Sequence, residues 1–201
     1  MNVVRILGSD PLFAFGLTEL LRTVHEFEVV PGPDDERWAG PADAKPADVV
    51  VVSVRGLPDP VDISAVAPVS SVLVVSRSTD PADAQHWFAA GALGYVHSSA
   101  SLATILNAVR CVAAGRRFPE GDGAQIPCPD TADVLSNRER QVLAQISQGR
   151  THYQVARALG ISQHTVDTYV KRARKKLQLG NKAELTRAAM AGQLTPLTLA
   201  G

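Results

Sequence analysis

Side chains able to act on a polyanion are concentrated late in the chain, in the run QHTVDTYVKRARKKL at residues 163–177. Lys171, Arg172, Arg174, Lys175 and Lys176 are cations that can neutralise phosphates and release counterions. Ahead of them stand Gln163, His164, Thr165, Asp167 and Thr168, whose amide, imidazole, hydroxyl and carboxylate groups can bond to base edges. At ~100° per residue of an α-helix, Val166, Val170, Ala173 and Leu177 gather on one side, and His164, Thr168, Lys171 and Lys175 on the other. Tyr169 falls on the flank of the apolar stripe, as a packing side chain first and a phosphate contact second. A charge run on an amphipathic helix ordinarily just keeps one face solvated. Here base-edge groups are interleaved with phosphate-seeking cations, and the preceding elements give the helix a defined setting.

Residues 134–201 read as four helices. Ser136 caps the first, and Glu139 three residues later completes a capping box. Val142, Leu143 and Ile146 form its buried stripe, and Gly149 ends it. Thr151 opens the short helix THYQVARAL, with Val155, Ala156 and Leu159 inward. The tight turn Gly160-Ile161-Ser162 follows, and Ser162 caps the third helix. A fourth, over 181–191, carries Leu185 and Ala188. Two short helices joined by a three-residue turn containing Gly are the signature of a helix-turn-helix.

The formal net charge of the 201 residues is zero, which excludes a uniformly basic coat protein and an acidic disordered tail. The distribution is uneven. Residues 1–117 hold 9 Lys/Arg against 13 Asp/Glu, whereas 134–201 hold 11 Lys/Arg against only Glu139, Asp167 and Glu184. That change predicts two domains with different partners, 1–117 and 134–201. The acidic, Pro- and Gly-containing stretch 118–133 lies between them as a linker. No apolar run approaches the ~18 residues of a spanning helix, and no secretory signal is visible, so a soluble cytoplasmic protein without membrane contact is expected. Hydrophobic residues at 45% and charged residues at 20% fit a globular chain.

Enzymatic chemistry finds little support. Five histidines show no metal-ligand spacing, and two cysteines are too few for a four-ligand zinc site, so neither metal nor cofactor is expected. Cys111 lies near the apolar face of its helix and is expected to be a reduced, packed thiol, with Cys128 exposed in the linker. His97 beside Ser98 and Ser99 lacks a third group to orient the pair.

The first domain alternates strands and helices. Strands are predicted at 3–7, 27–30, 49–54, 72–75 and, more weakly, 94–96. Helical patterns occupy 11–23, 60–67, 81–90 and 101–114. Asp10, Asp59 and Asp80 stand before prolines that suit a first turn. The all-apolar VVVV at 49–52 suits a strand covered on both faces. The fold class is therefore α/β: a flavodoxin-like, doubly wound, five-stranded parallel sheet, followed by the all-α four-helix domain. Residues 32–46 are too rich in Pro, Gly and acid for more than a short turn near Trp38.

The segments VVRILGSDPLFAFGLTELL and GALGYVHSSASLATILNAVRCVAAGRRF resemble the first and last units of the receiver domain in NarL/FixJ response regulators. In that family an acidic pair after the first strand binds magnesium and an Asp ending the third accepts a phosphoryl group. A Ser or Thr ends the fourth, and a Lys follows the fifth. Carboxylates, cation and Lys together hold and neutralise the phosphoryl oxygens. Aligned on Pro11-Leu12, this chain places Gly8 and Ser9 at the acidic pair, Ser53 at the acceptor and Ser98 at the Lys. Ser76 and Tyr95 match, and Arg77 stands where a small residue is usual. Asp10 reads as a helix cap, with a one-residue slip as the alternative. Asp48 lies five residues before Ser53, ~16 Å away at ~3.3 Å per residue and at the wrong end of the sheet. The expectation is a receiver that has lost aspartyl phosphorylation and persists as a dimerisation platform around 81–114. The alternative is a small-molecule site lined by Gly8, Ser9, Asp10, Ser53, Ser76, Arg77 and Ser98.

The segment LSNRERQVLAQISQGRTHYQVARALGISQHTVDTYVKRARKKLQLGNKAEL resembles the LuxR/FixJ-type helix-turn-helix over about fifty residues. The resemblance implies insertion of the third helix into the major groove of double-stranded DNA, dimer contacts through the fourth, and backbone anchoring by Thr151 and Lys182. Asp167 replaces the usual Lys or Arg and could accept from a cytosine amino group. The expected DNA-contacting set is thus Thr151, Gln163, His164, Thr165, Asp167, Thr168, Lys171, Arg172, Lys175 and Lys182. Paired helices imply a homodimer on a two-fold symmetric operator. Two rival readings are a partner that heterodimerises with another regulator, and a ligand-sensing regulator. In typical family members the unphosphorylated receiver can cover the recognition helix.

Overall fold

The computed structural model describes residues 2–8, 11–30, 47–54, 62–118 and 135–177. The β-branched runs form strands β1 (Asn2–Gly8), β2 (Phe27–Val30), β3 (Val49–Val54), β4 (Ser71–Ser76) and β5 (Gly94–His97). They pair in parallel, in the order β2-β1-β3-β4-β5. Between them run α1 (Pro11–Arg22), α2 (Ile63–Val66) and α3 (Pro81–Ala89), and α4 (Leu102–Ala113) follows β5.

Strand side chains alternate between two cores, as a period of two demands. Val4, Ile6, Val49, Val51, Leu73 and Val75 join Leu17, Leu21, Ile105 and Val109 of α1 and α4 on one face. Val3, Leu7, Val50, Val52, Val72, Val74 and Tyr95 join Ile63, Val66, Ala84 and Trp87 of α2 and α3 on the other. Each fully buried valine or leucine contributes about 1.5–3 kcal/mol of transfer free energy. The four consecutive valines 49–52 are fully covered, as expected for the central strand of a sheet with helices on both faces.

Two sequence readings are corrected. The helix expected over 60–67 with Asp59 as its cap is shorter. Asp62 is the N-cap, its carboxylate accepting from the backbone N–H of Ser64, and the helix runs Ile63–Val66. Asp62 offers a carboxylate two residues ahead of that N–H, and this local bond sets the start of the helix. Cys111 is disulfide-bonded, not a reduced thiol, for periodicity marks burial and carries no information about a sulfur partner. The chain's other cysteine, Cys128, lies outside the described residues. So do the proposed Asp10 cap, the turn near Trp38, the linker beyond Phe118 and the helix at 181–191.

The carboxyl-terminal domain contains α5 (Asn137–Ser147), α6 (His152–Leu159) and α7 (Gln163–Lys176). Ser136 and Glu139 form the expected capping box, and Thr151 and Gln154 form a second. Ser162 caps α7 by accepting from the N–H of Thr165. The turn from α6 to α7 depends on Gly160, which caps α6 at φ 66°, a left-handed conformation that glycine adopts without a Cβ penalty. Val142, Leu143, Ile146, Val155, Val166 and Ala173 close the core that fixes α7 across α5 and α6.

Candidate nucleic-acid interface and the sheet edge

The apolar side of α7 is buried as its spacing predicts: Val166 and Ala173 are fully covered and Val170 is 7% exposed. His164, Asp167, Lys171 and Lys175 are exposed, Gln163 also, while Thr165 and Thr168 are half-buried. The Thr168 hydroxyl donates to the His164 carbonyl one turn back, and the Thr165 hydroxyl is bonded to that of Ser162. A continuous stripe of imidazole, hydroxyl and ammonium groups therefore faces solvent, and the exposed Thr151 lies at the head of α6. Lys182 lies outside the described residues.

Asp167 has a partner that the sequence reading missed. Nδ1 of His152, at the start of α6, bonds to Oδ1 of Asp167. The carboxylate is held from one side and remains 52% exposed. His152 and Asp167 are fifteen residues apart, so only the helix-turn-helix brings them together.

Arg172 and Lys176 do not share the exposed stripe. Arg172 lies 3.3 Å from Oδ2 of Asp48, a fully buried carboxylate on the receiver-like domain. Oδ2 also accepts from the backbone N–H of Val3 at 2.8 Å, and Oδ1 accepts from the Ser136 hydroxyl at 2.9 Å. Lys176 donates to Glu139 Oε2 at 2.9 Å and to Asn2 Oδ1 at 2.6 Å. Tyr169, 1% exposed, donates to the Ala47 carbonyl at 3.5 Å, with the Arg172 guanidinium 5.8 Å from its ring centre. Arg138 donates to the Ala67 carbonyl and Arg140 to that of Ala114, adding two contacts between the domains. Burial raises the Tyr169 hydroxyl well above its ordinary range, aided by the Asp48 charge, so it stays neutral. Burial also raises Glu139, because the loss of water outweighs the opposing pull of Lys176, and Asp48 adds to the rise.

The opposite edge of the sheet holds the positions that align with receiver chemistry. Strand register brings Gly8 beside Ser53, and Ser76 beside both Val54 and His97. Gly8 has φ 130°, and a Cβ there would lie 2.3 Å from the Ser53 carbonyl oxygen. The backbone thus leaves no space for an acidic side chain at position 8. The fully buried Ser76 hydroxyl accepts from the N–H of Ser78, and the Ser98 N–H donates to the Ser76 carbonyl. His97 bonds to the Ser99 hydroxyl and, through Nε2, to the Arg77 carbonyl, while the Arg77 side chain is exposed. Tyr95 is turned inward, its hydroxyl donating to the Ser78 carbonyl. Ser9 and Asp10 lie outside the described residues. Among the described residues, the groups at this edge are the serine side chains of Ser53, Ser76 and Ser98 with backbone carbonyls, a set that does not fit magnesium, which favours carboxylates. Among the described residues, no group of three His, Cys, Asp or Glu is arranged to hold a metal ion.

The parallel sheet and the helix-turn-helix define a class of two-domain regulators, and comparison with known proteins gives the family. Residues 133–189 match the family described as bacterial regulatory proteins, luxR family. BvgA of Bordetella pertussis, whose name describes a transcription regulator of virulence factors, is 30% identical over 200 residues, covering 92% of this chain and 94% of its own. The response regulator RamR of Streptomyces coelicolor is 28% identical over 195 residues, covering 92% and 93%. The response regulator RcsB of Salmonella typhimurium is similar in structure, with a TM-score of 0.48, 20% identity and coverage of 95% and 100%. The chain belongs to the NarL/FixJ family of response regulators, and is a DNA-binding transcription regulator. No described helix is long and apolar enough to cross a membrane.

Proposed function

We propose that this regulator binds a two-fold symmetric DNA site as a homodimer, with the amino-terminal half of α7 in the major groove, and that it does so without aspartyl phosphorylation. One observation carries the reading: α7 turns His164, Asp167, Lys171 and Lys175 to solvent while Val166, Val170 and Ala173 lock its other side. Gln163, His164, Thr165, Asp167 and Thr168 address base edges, and Lys171 and Lys175 neutralise phosphates. Thr151 offers a backbone anchor, as does Lys182 by family resemblance. His152 holds one oxygen of Asp167, leaving the other to accept from a cytosine amino group.

Independence from phosphorylation is supported by the contact of Gly8 with Ser53, which removes room for a metal-binding acid. The same contact counts against a small molecule seated between the ends of β1 and β3. The receiver-like domain then serves as a dimerisation platform, through α3, β5 and α4 around residues 81–114. Two identical recognition helices address two half-sites about one helical turn apart.

Footprinting genomic fragments with the purified chain tests this directly. Protection of paired half-sites is expected, unchanged by acetyl phosphate and magnesium. Protection that appears only after phosphorylation would overturn the independence, and protection only with a second regulator would favour the heterodimer. Lys171→Ala is expected to weaken binding to all sequences and to flatten the salt dependence by about one unit, while Asp167→Ala changes base preference.

A further inference from the structure

The angular positions on α7 divide it into three faces. At ~100° per residue, Tyr169, Arg172 and Lys176 centre about 100° away from the core stripe and about 100° from the exposed stripe. All three meet the amino-terminal edge of the sheet, at Ala47, Asp48 and Asn2. Asp48 gathers this contact: its fully buried carboxylate receives Val3 from its own sheet, Ser136 from the cap of α5 and Arg172 from α7. A buried carboxylate needs such partners, since leaving one without them costs several kcal/mol. Docking leaves the exposed stripe uncovered while removing two of the five cations at 171–176 from solvent: the Arg172 side chain is 17% exposed and that of Lys176 4%.

We infer that Asp48 is a positioning residue for DNA binding: it holds Arg172 away from the duplex and fixes the recognition helix to the receiver-like domain, so that fewer cations of α7 meet phosphate. The inference rests on the reading of α7 as the DNA-contacting helix. Its consequence is a regulator whose non-specific attraction to DNA is held down by its first domain. Every cation that reaches a phosphate steepens the salt dependence of the binding constant by about 0.9 in logarithmic slope.

The test measures binding of the full-length chain to one unrelated duplex over ~50–200 mM salt, a range in which such slopes are resolved. Asp48→Asn keeps an acceptor for Val3 or Ser136 but releases the guanidinium. Its slope is expected to steepen by about one unit relative to the unaltered chain. Adding Arg172→Met to Asp48→Asn is expected to return the slope to its starting value. Arg172→Met alone is expected to leave the slope unchanged, and it decides the question even if Asp48→Asn fails to fold. Flattening by about one unit in Arg172→Met would place Arg172 on the duplex already and overturn the inference, as would an unchanged slope in folded Asp48→Asn. Failure of every chain to bind duplex would overturn the DNA-reading role of α7 and this inference with it, whereas binding with the wrong slopes overturns this inference alone.

Discussion

The two edges of the one parallel sheet have opposite chemistry. At the carboxyl ends of the strands, where the family keeps its carboxylates, this chain has a glycine pressed against Ser53 and serine groups that satisfy one another locally. At the amino ends it buries Asp48 and surrounds it with partners from three elements, one of them 124 residues away. Charge is costly to bury and is retained only where partners are built around it. In this molecule two of the three, Ser136 and Arg172, belong to the second domain. The comparison teaches that a receiver-like domain has a second edge, away from the family's phosphorylation chemistry, at which it can hold the DNA-binding domain.

The contrast can be broken from either side. Gly8→Asp is expected to have the largest effect, destabilising the first domain by about 3 kcal/mol or more through backbone overlap and an unfavourable φ, without restoring phosphorylation. Thermal unfolding and a phosphoryl-transfer assay check both parts. Asp48→Ala is expected to cost about 2–3 kcal/mol, because Val3, Ser136 and Arg172 lose one shared acceptor. A cost near zero by denaturant titration would reduce this edge to passive packing. Ser136→Ala removes a helix cap together with a bond to Asp48, for about 1–2 kcal/mol.

The smallest effect is on pH dependence. Burial raises Glu139 above its ordinary value of 4.5, so the folded chain binds a proton more readily than the unfolded one. The stability that this group contributes is full below that ordinary value and is lost as pH rises through the raised one. Denaturant titrations across mildly acidic pH are expected to show that decline, and Glu139→Gln to remove it.

Much of this was legible in the sequence. Strands 27–30 and 49–54 were readable to the residue, because β-branched runs bounded by turn formers leave few alternatives. The caps Ser136 and Ser162 were readable because capping is a local interaction over three residues. The core and exposed faces of α7 followed from periodicity alone. What stayed hidden is long-range. From the sequence Asp48 reads only as a substitute for the missing carboxylates, one that lies before β3 rather than at its end. Its actual partners lie 45, 88 and 124 residues away, beyond any spacing rule. An acid directly before four buried valines was the available signal, since a charge there must find partners. Arg172 shows the same limit: its charge suits it to phosphate, but Asp48 of the first domain claims it. The disulfide at Cys111 is likewise a pairing that helix periodicity cannot reveal.

The division of α7 into three faces can be read lysine by lysine. Acetylation of the folded chain, with and without duplex DNA and followed by mass spectrometry, reports the exposure of each ammonium group. Lys171 and Lys175 are expected to react rapidly in the free protein and to be shielded by DNA, while Lys176 reacts slowly in both states. Slow reaction of Lys171 and Lys175 in the free protein, or reactivity indifferent to bound duplex, would contradict the account.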